Sequence, residues 1–107
     1  MKYGDLVTIA LQGEFGKPRP ALVIQSDLFG EHSTVTVLLL TSSIIEAPLL
    51  RVTLEPDAEN GLQKTSQVMI DKIMTIRREK IVEAFGFANH DVMQNIRRLL
   101  AVFLNIV

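Results

Sequence analysis

Apolar and polar residues alternate with a period of two along most of the chain and shift to a helical period only near its end. Asp5-Leu6-Val7-Thr8-Ile9 has the pattern of a half-buried strand, and Arg19 to Gln25 predicts a second. After a loop from Ser26 to Ser33, Thr34-Val35-Thr36-Val37 alternates cleanly and then becomes Leu38-Leu39-Leu40, as in a central strand covered on both faces at its far end. Leu49 to Leu54 predicts another strand, closed by the turn formers Glu55-Pro56-Asp57-Ala58-Glu59-Asn60-Gly61. Ser66 to Ile70 and Ile73 to Ile76 read as one strand interrupted by Asp71 and Lys72, and Ile81 to Phe85 as a last short one.

Beyond Phe85 the spacing changes. Asn89 can cap a helix, Asp91 complements the positive end of its dipole, and Val92, Ile96, Leu99, Leu100, Phe103 and Leu104 recur at helical intervals. From Leu99 to Val107 every residue except Asn105 is apolar, which predicts a helix greasy around most of its circumference. Its second face needs a covering, and a second subunit in a homodimer is the economical one. Short strands followed by one helix predict a mainly β fold: a small, strongly bent antiparallel sheet or barrel with a C-terminal helix against it. The whole of residues 1–107 reads as a single domain, without repeat or linker.

Composition narrows the chemistry. Hydrophobic residues make up 48% of the 107 and charged ones 21%, with a net charge of −1, so this is no bulk polycation and any nucleic-acid contact must be local. The absence of cysteine removes disulfides and thiolate zinc sites and suits a reducing cytoplasm. No signal segment or membrane-length apolar run is evident, so no membrane partner is expected. Phosphate-loop and HExxH motifs are missing, no local pair resembles a triad, and His32 and His90 lie far apart in sequence, so neither a metal nor another cofactor is expected.

One cation is held in an unusual way. In Gly13-Glu14-Phe15-Gly16-Lys17-Pro18-Arg19-Pro20, running into Ala21-Leu22-Val23-Ile24, two prolines brace Arg19 at a strand mouth. A guanidinium so held can grip a phosphate with two parallel hydrogen bonds, and the same residues could form a β-turn with a Glu14–Arg19 surface ion pair. Lys17 adds to this charge, while Lys72, Arg77, Arg78 and Lys80 gather around a later strand, diluted by Asp71 and Glu79. Thr41-Ser42-Ser43 is a hydroxyl cluster at the end of the central strand, where such residues also serve as turn formers. Phe15 and Phe29 offer aromatic faces in loops, as base platforms or as anchors.

Taken together, Gly4-Asp5-Leu6-Val7, Glu14, Gly16 to Ile24, Thr41-Ser42, Asn60-Gly61-Leu62, Ser66 to Ile76, Gly86 and the closing helix resemble the MazF/PemK (Kid-type) toxins of bacterial type II toxin–antitoxin pairs. The resemblance runs nearly the whole length and implies an SH3-like, CcdB/MazF-type barrel, dimeric, acting as a metal-independent endoribonuclease on single-stranded RNA. The ribose 2'-hydroxyl attacks the adjacent phosphorus, leaving a 2',3'-cyclic phosphate and a 5'-hydroxyl, and the chain inhibits translation and growth. It further implies a cognate antitoxin whose acidic tail covers the site.

Carried over residue by residue, the resemblance makes Arg19 the phosphate clamp and Thr41 a hydrogen-bond partner of phosphate or sugar. Glu14 would orient Arg19 or accept the 2'-hydroxyl proton, and Asp71 matches an acid proposed as general base in some members. Lys17, Phe15, Ser42, Lys72 and Arg77 are the candidate RNA contacts. One departure is Met69, where some relatives carry an arginine two places before that acid. Two other functions fit the same barrel: a CcdB-like gyrase poison without nuclease activity, and a catalytically silent RNA- or antitoxin-binding member. The CcdB-type helix ends in a tail containing tryptophan, and this chain has none.

Overall fold

In the computed structural model, which describes residues 1–10 and 17–106, alternate residues of the strands feed two buried clusters. Leu6, Leu22, Leu38 and Leu40 point to one face of the sheet, and Val7, Ile9, Ala21, Val23, Val35 and Val37 to the other. Both sets are sealed from solvent, which is why the central strand reads as apolar without interruption. Each fully buried leucine or isoleucine stabilises the fold by about 1.5–3 kcal/mol. The elements run β1 (Asp5–Ala10), β2 (Pro18–Val23), β3 (Thr34–Thr41), β4 (Arg51–Leu54), β5 (Ser66–Arg77), β6 (Ile81–Phe87) and α1 (His90–Phe103). One sheet holds all six strands in the order β4-β5-β3-β2-β1-β6, every neighbouring pair antiparallel.

Several boundaries differ from the sequence expectation, among them β2, which runs Pro18–Val23 and not Arg19 to Gln25. The strand expected from Leu49 begins at Arg51, because Leu50 and Arg51 donate their N–H groups back to the Ala47 carbonyl and make a turn. β6 runs on to Phe87, paired with Asp5. β5 is continuous through Asp71 and Lys72, and what interrupts the pattern is a bend. Leu40 pairs with Val68 and Leu38 with Ile73, so β5 spends five residues where β3 spends two. The bend lets the first half of β5 pair with β4 while the second half follows β3.

The two edges of the sheet meet through backbone. The loop after β4 is folded by Asn60, whose buried side chain accepts from the Asp57 and Leu62 N–H groups and donates to the Glu55 carbonyl. This brings the Glu59 carbonyl within 2.9 Å of the Phe87 N–H on β6. A Cβ on Gly86 would lie 2.2 Å from the Asn60 carbonyl oxygen, and one on Gly61, at φ 66°, would lie 2.5 Å from that of Phe85. Only glycine permits this closure.

Asn89 caps α1 through a 2.9 Å bond from the Val92 N–H, and Met93, Ile96 and Leu99 are buried. The outward face carries Gln94, Arg97 and Arg98, so the helix is amphipathic and not greasy all round. The exposed apolar surface is confined to its end, at Val102, Phe103, Leu104 and Ile106. Asn105, the one polar residue of that tail, is where the helix stops: it sits at φ 58°, with Ile106 bonded to the Ala101 carbonyl and Asn105 to that of Val102. Among the described residues no helix is long and apolar enough to cross a membrane.

Candidate active site

Strand register brings the braced arginine and the hydroxyl cluster together. β2 and β3 pair as Val23↔Val37, Leu22↔Leu38 and Ala21↔Leu39, and beyond that ladder Arg19 of β2 and Thr41 of β3 border the same cavity. On its other side β2 pairs with β1, Arg19 with Ile9 and Pro20 with Thr8, and Thr8 in turn faces Glu83 of β6. The strand ends border a cavity of about 600 Å³. It is lined by Thr8 of β1, Arg19 and Pro20 of β2, Leu40, Thr41 and Ser42 at the end of β3, Leu62, Gln63, Lys64 and Ser66 leading into β5, and Glu83 and Phe85 of β6.

The walls are fixed by hydrogen bonds. The Thr41 hydroxyl accepts the Ser43 N–H at 3.0 Å, the strand-end turn expected of such residues, which leaves its own proton to donate to a bound group. At the start of β5, the buried Ser66 hydroxyl donates to the Lys64 carbonyl at 2.9 Å, and the Thr65 hydroxyl bonds the Glu55 carboxylate. Among the described lining residues Arg19 and Lys64 are cationic and Glu83 is acidic, so the cavity carries a net positive charge suited to a phosphodiester. Arg19 is half-buried, where a guanidinium's attraction for an anion is screened less than at an open surface.

Of the residues singled out from sequence, Arg19, Thr41 and Ser42 come together here. Lys17 is exposed at the entry to β2, outside the lining. Glu14 and Phe15 lie outside the described residues. Asp71, Lys72 and Arg77 do not line the cavity. β5 reaches it through Ser66, and Asp71 stands five residues further along, about 16 Å of strand. Arg77 is exposed and sits 3.6 Å from Glu79. Sequence reasoning missed Thr8, Lys64 and Glu83, which are brought in by cross-strand pairing and by the edge closure. Their only signal was the Asn60-Gly61-Leu62 and Gly86 pair, which shows where the chain must pass close to itself.

The family profile described as "PemK-like, MazF-like toxin of type II toxin-antitoxin system" matches residues 2–104. The chain belongs to the PemK/MazF toxin family. A probable endoribonuclease MazF of Mycolicibacterium smegmatis is 42% identical to it over 107 residues, covering 99% of this chain and 98% of that protein. Among solved structures, MazE–MazF from Deinococcus radiodurans superposes with a TM-score of 0.78 at 26% identity, covering 98% of this chain and 96% of that one. An endoribonuclease in complex with its cognate antitoxin from a mycobacterial species gives 0.84 at 21% identity, over 100% and 97% of the two chains. The Mycobacterium tuberculosis toxin MazF-mt6 gives 0.80 at 20% identity, over 94% and 96%. The last two identities carry the fold alone, and that PemK/MazF fold is the barrel with a terminal helix described above.

Proposed function

We propose that this PemK/MazF toxin cleaves single-stranded RNA by driving the ribose 2'-hydroxyl onto its own phosphodiester, with the cavity between Arg19, Thr41, Lys64 and Glu83 as the site. The observation that carries the reading is the convergence of Arg19 and Thr41 on one net-positive cavity. As the phosphorane forms, Arg19 offsets the added charge with paired N–H donors, and the Thr41 proton not used in its own turn bonds a phosphate oxygen. A guanidinium keeps its protons, so Arg19 acts as a clamp, and the Lys64 ammonium is the better donor to the departing 5'-oxygen. Glu83 is the carboxylate of the cavity assigned to accept the 2'-hydroxyl proton, and Glu14 is the alternative that the family resemblance offers. Lys17 and Ser42 extend the RNA contact, and Phe15 is assigned to it on the family resemblance alone. Asp71, Lys72 and Arg77 lie off this cavity within one protomer and would enter the chemistry only if a second copy brought them to it.

The reaction requires no cofactor, because RNA supplies the nucleophile. Acting on messenger RNA places the protein in the cytoplasm, where cleavage halts translation and growth. The exposed apolar end of α1 suits a homodimer, and the positive cavity suits the acidic tail of a cognate antitoxin, which would silence the enzyme by occupying it.

The test uses an RNA oligonucleotide in EDTA. Cleavage should leave a 2',3'-cyclic phosphate and a 5'-hydroxyl, and a single 2'-deoxy substitution at the scissile nucleotide should leave the strand bound but intact. Products ending in a 3'-hydroxyl, or cleavage of the deoxy strand, would refute the mechanism.

A further inference from the structure

Thr41 ends β3 paired with Gln67 of β5, and the turn that follows, which engages the Thr41 hydroxyl, is held by that same Gln67, a residue outside the cavity. Gln67 is only 3% exposed, and its carboxamide uses every donor and acceptor it has. Its oxygen accepts the Ile45 N–H at 3.2 Å and Arg51 Nη1 at 2.9 Å. Its nitrogen donates to the Ile45 carbonyl at 3.0 Å and to Thr53 Oγ1 at 3.1 Å. The same Arg51 Nη1 donates to the Ser43 carbonyl at 3.2 Å, and Ser43 is the residue whose N–H the Thr41 hydroxyl accepts. An unbroken chain of polar contacts thus runs from the buried Gln67 through Arg51 and Ser43 to the Thr41 hydroxyl.

A buried carboxamide with all four positions filled is costly to assemble and costly to break, which marks it as specifying geometry. The segment it grips supplies little burial of its own: Ile44, Ile45 and Leu49 are all exposed. Hydrogen bonds, not packing, hold the turn. Ser66, the neighbour of Gln67 on β5, holds the Lys64 carbonyl, so two adjacent residues of one strand brace two segments that line the cavity.

We infer that Gln67 is a positioning residue for RNA cleavage: through Arg51 and Ser43 it fixes the Thr41 hydroxyl where phosphorane charge develops. This rests on the cleavage site proposed above. Losing the brace lets the turn drift, and a displacement of about 1 Å at a reacting centre costs up to roughly a hundredfold in rate.

The test is a double-mutant cycle on kcat and KM for a single-site RNA, with each variant confirmed by thermal melting to be folded at the assay temperature. Gln67→Met should lower kcat roughly tenfold to a hundredfold with KM nearly unchanged. In a Thr41→Val background it should cost almost nothing more, because the group it positions is gone. Gln67→Glu, which retains both acceptor bonds, should recover part of the loss. Arg51→Met gives the same cycle through a second link should Gln67→Met fold poorly. Multiplicative losses in the cycle would overturn the inference, since a purely structural defect acts regardless of Thr41. If Arg19→Ala and Thr41→Val both cut RNA at the parent rate, the site itself is misplaced and the inference falls with it. Normal Thr41→Val loss beside an inert Gln67→Met sinks the inference alone.

Discussion

The chain carries two clusters of positive charge, and the structure treats them differently. Lys17 and Arg19 enter β2 where five segments converge, and Arg19 lines a cavity with a hydroxyl, a second cation and a carboxylate beside it. Lys72 and Arg77 lie along the outer half of β5, exposed, with Arg77 beside Glu79 at 3.6 Å in a pair of the kind worth about 0–1 kcal/mol. The two are similar in composition and differ in what surrounds them. A cation becomes a site where backbone from several directions closes around it, and remains a solvated charge where a strand simply runs past.

That contrast can be broken at its cause. The largest effect expected is from Gly86→Ala, whose Cβ would press 2.2 Å from the Asn60 carbonyl oxygen and force the edge closure apart. It should destabilise the fold by about 3 kcal/mol, lowering the melting temperature by more than about 10 °C in calorimetry. Thr41→Val removes one phosphate donor while keeping the shape, and should slow cleavage roughly tenfold to a hundredfold in single-turnover assays. Lys64→Ala, which removes a cation the closure brings to the cavity, should weaken RNA binding and reduce the slope of log K against log salt by about 0.7. The smallest effect lies remote from both clusters. Burial raises the Tyr3 pKa above its usual value of 10.0, against a lowering by Arg97. The folded state therefore holds this proton more tightly than the unfolded chain, and the stability this contributes is present below pH ~10 and lost as pH rises through the folded value. Urea titrations from pH 9 to 11 should show a shallower alkaline decline for Tyr3→Phe.

Much of the barrel was legible because its strands bury alternate residues on one face or both, and period-two patterns report that directly. Asn89 marked the start of the helix through its capping side chain, whereas the end at Asn105, at φ 58°, was not read from the sequence. The bend of β5 was less so. Asp71 and Lys72 look like a break because a bulge and a loop both admit polar residues, and only the pairing of Leu38 with Ile73 and Leu40 with Val68 distinguishes them. Arg19 could be singled out because two prolines announce a fixed backbone, which a surface turn would equally explain, and its role came from the family resemblance. Lys64 and Glu83 could not, since nothing local to either residue encodes that Gly61 and Gly86 bring their segments into contact. The wide charge cluster around β5 attracted attention by number alone, and number does not specify convergence.

The most direct measurement compares the two clusters in one assay. Cleavage rates on the same single-stranded RNA in EDTA are taken for Arg19→Ala and for the double variant Lys72→Ala/Arg77→Ala, both verified as folded. Arg19→Ala should lose roughly a hundredfold or more in rate, while the double variant stays within about threefold of the parent. Near-parent cleavage by Arg19→Ala, or collapse of activity in the double variant alone, would contradict the assignment of the chemistry to the Arg19 cavity.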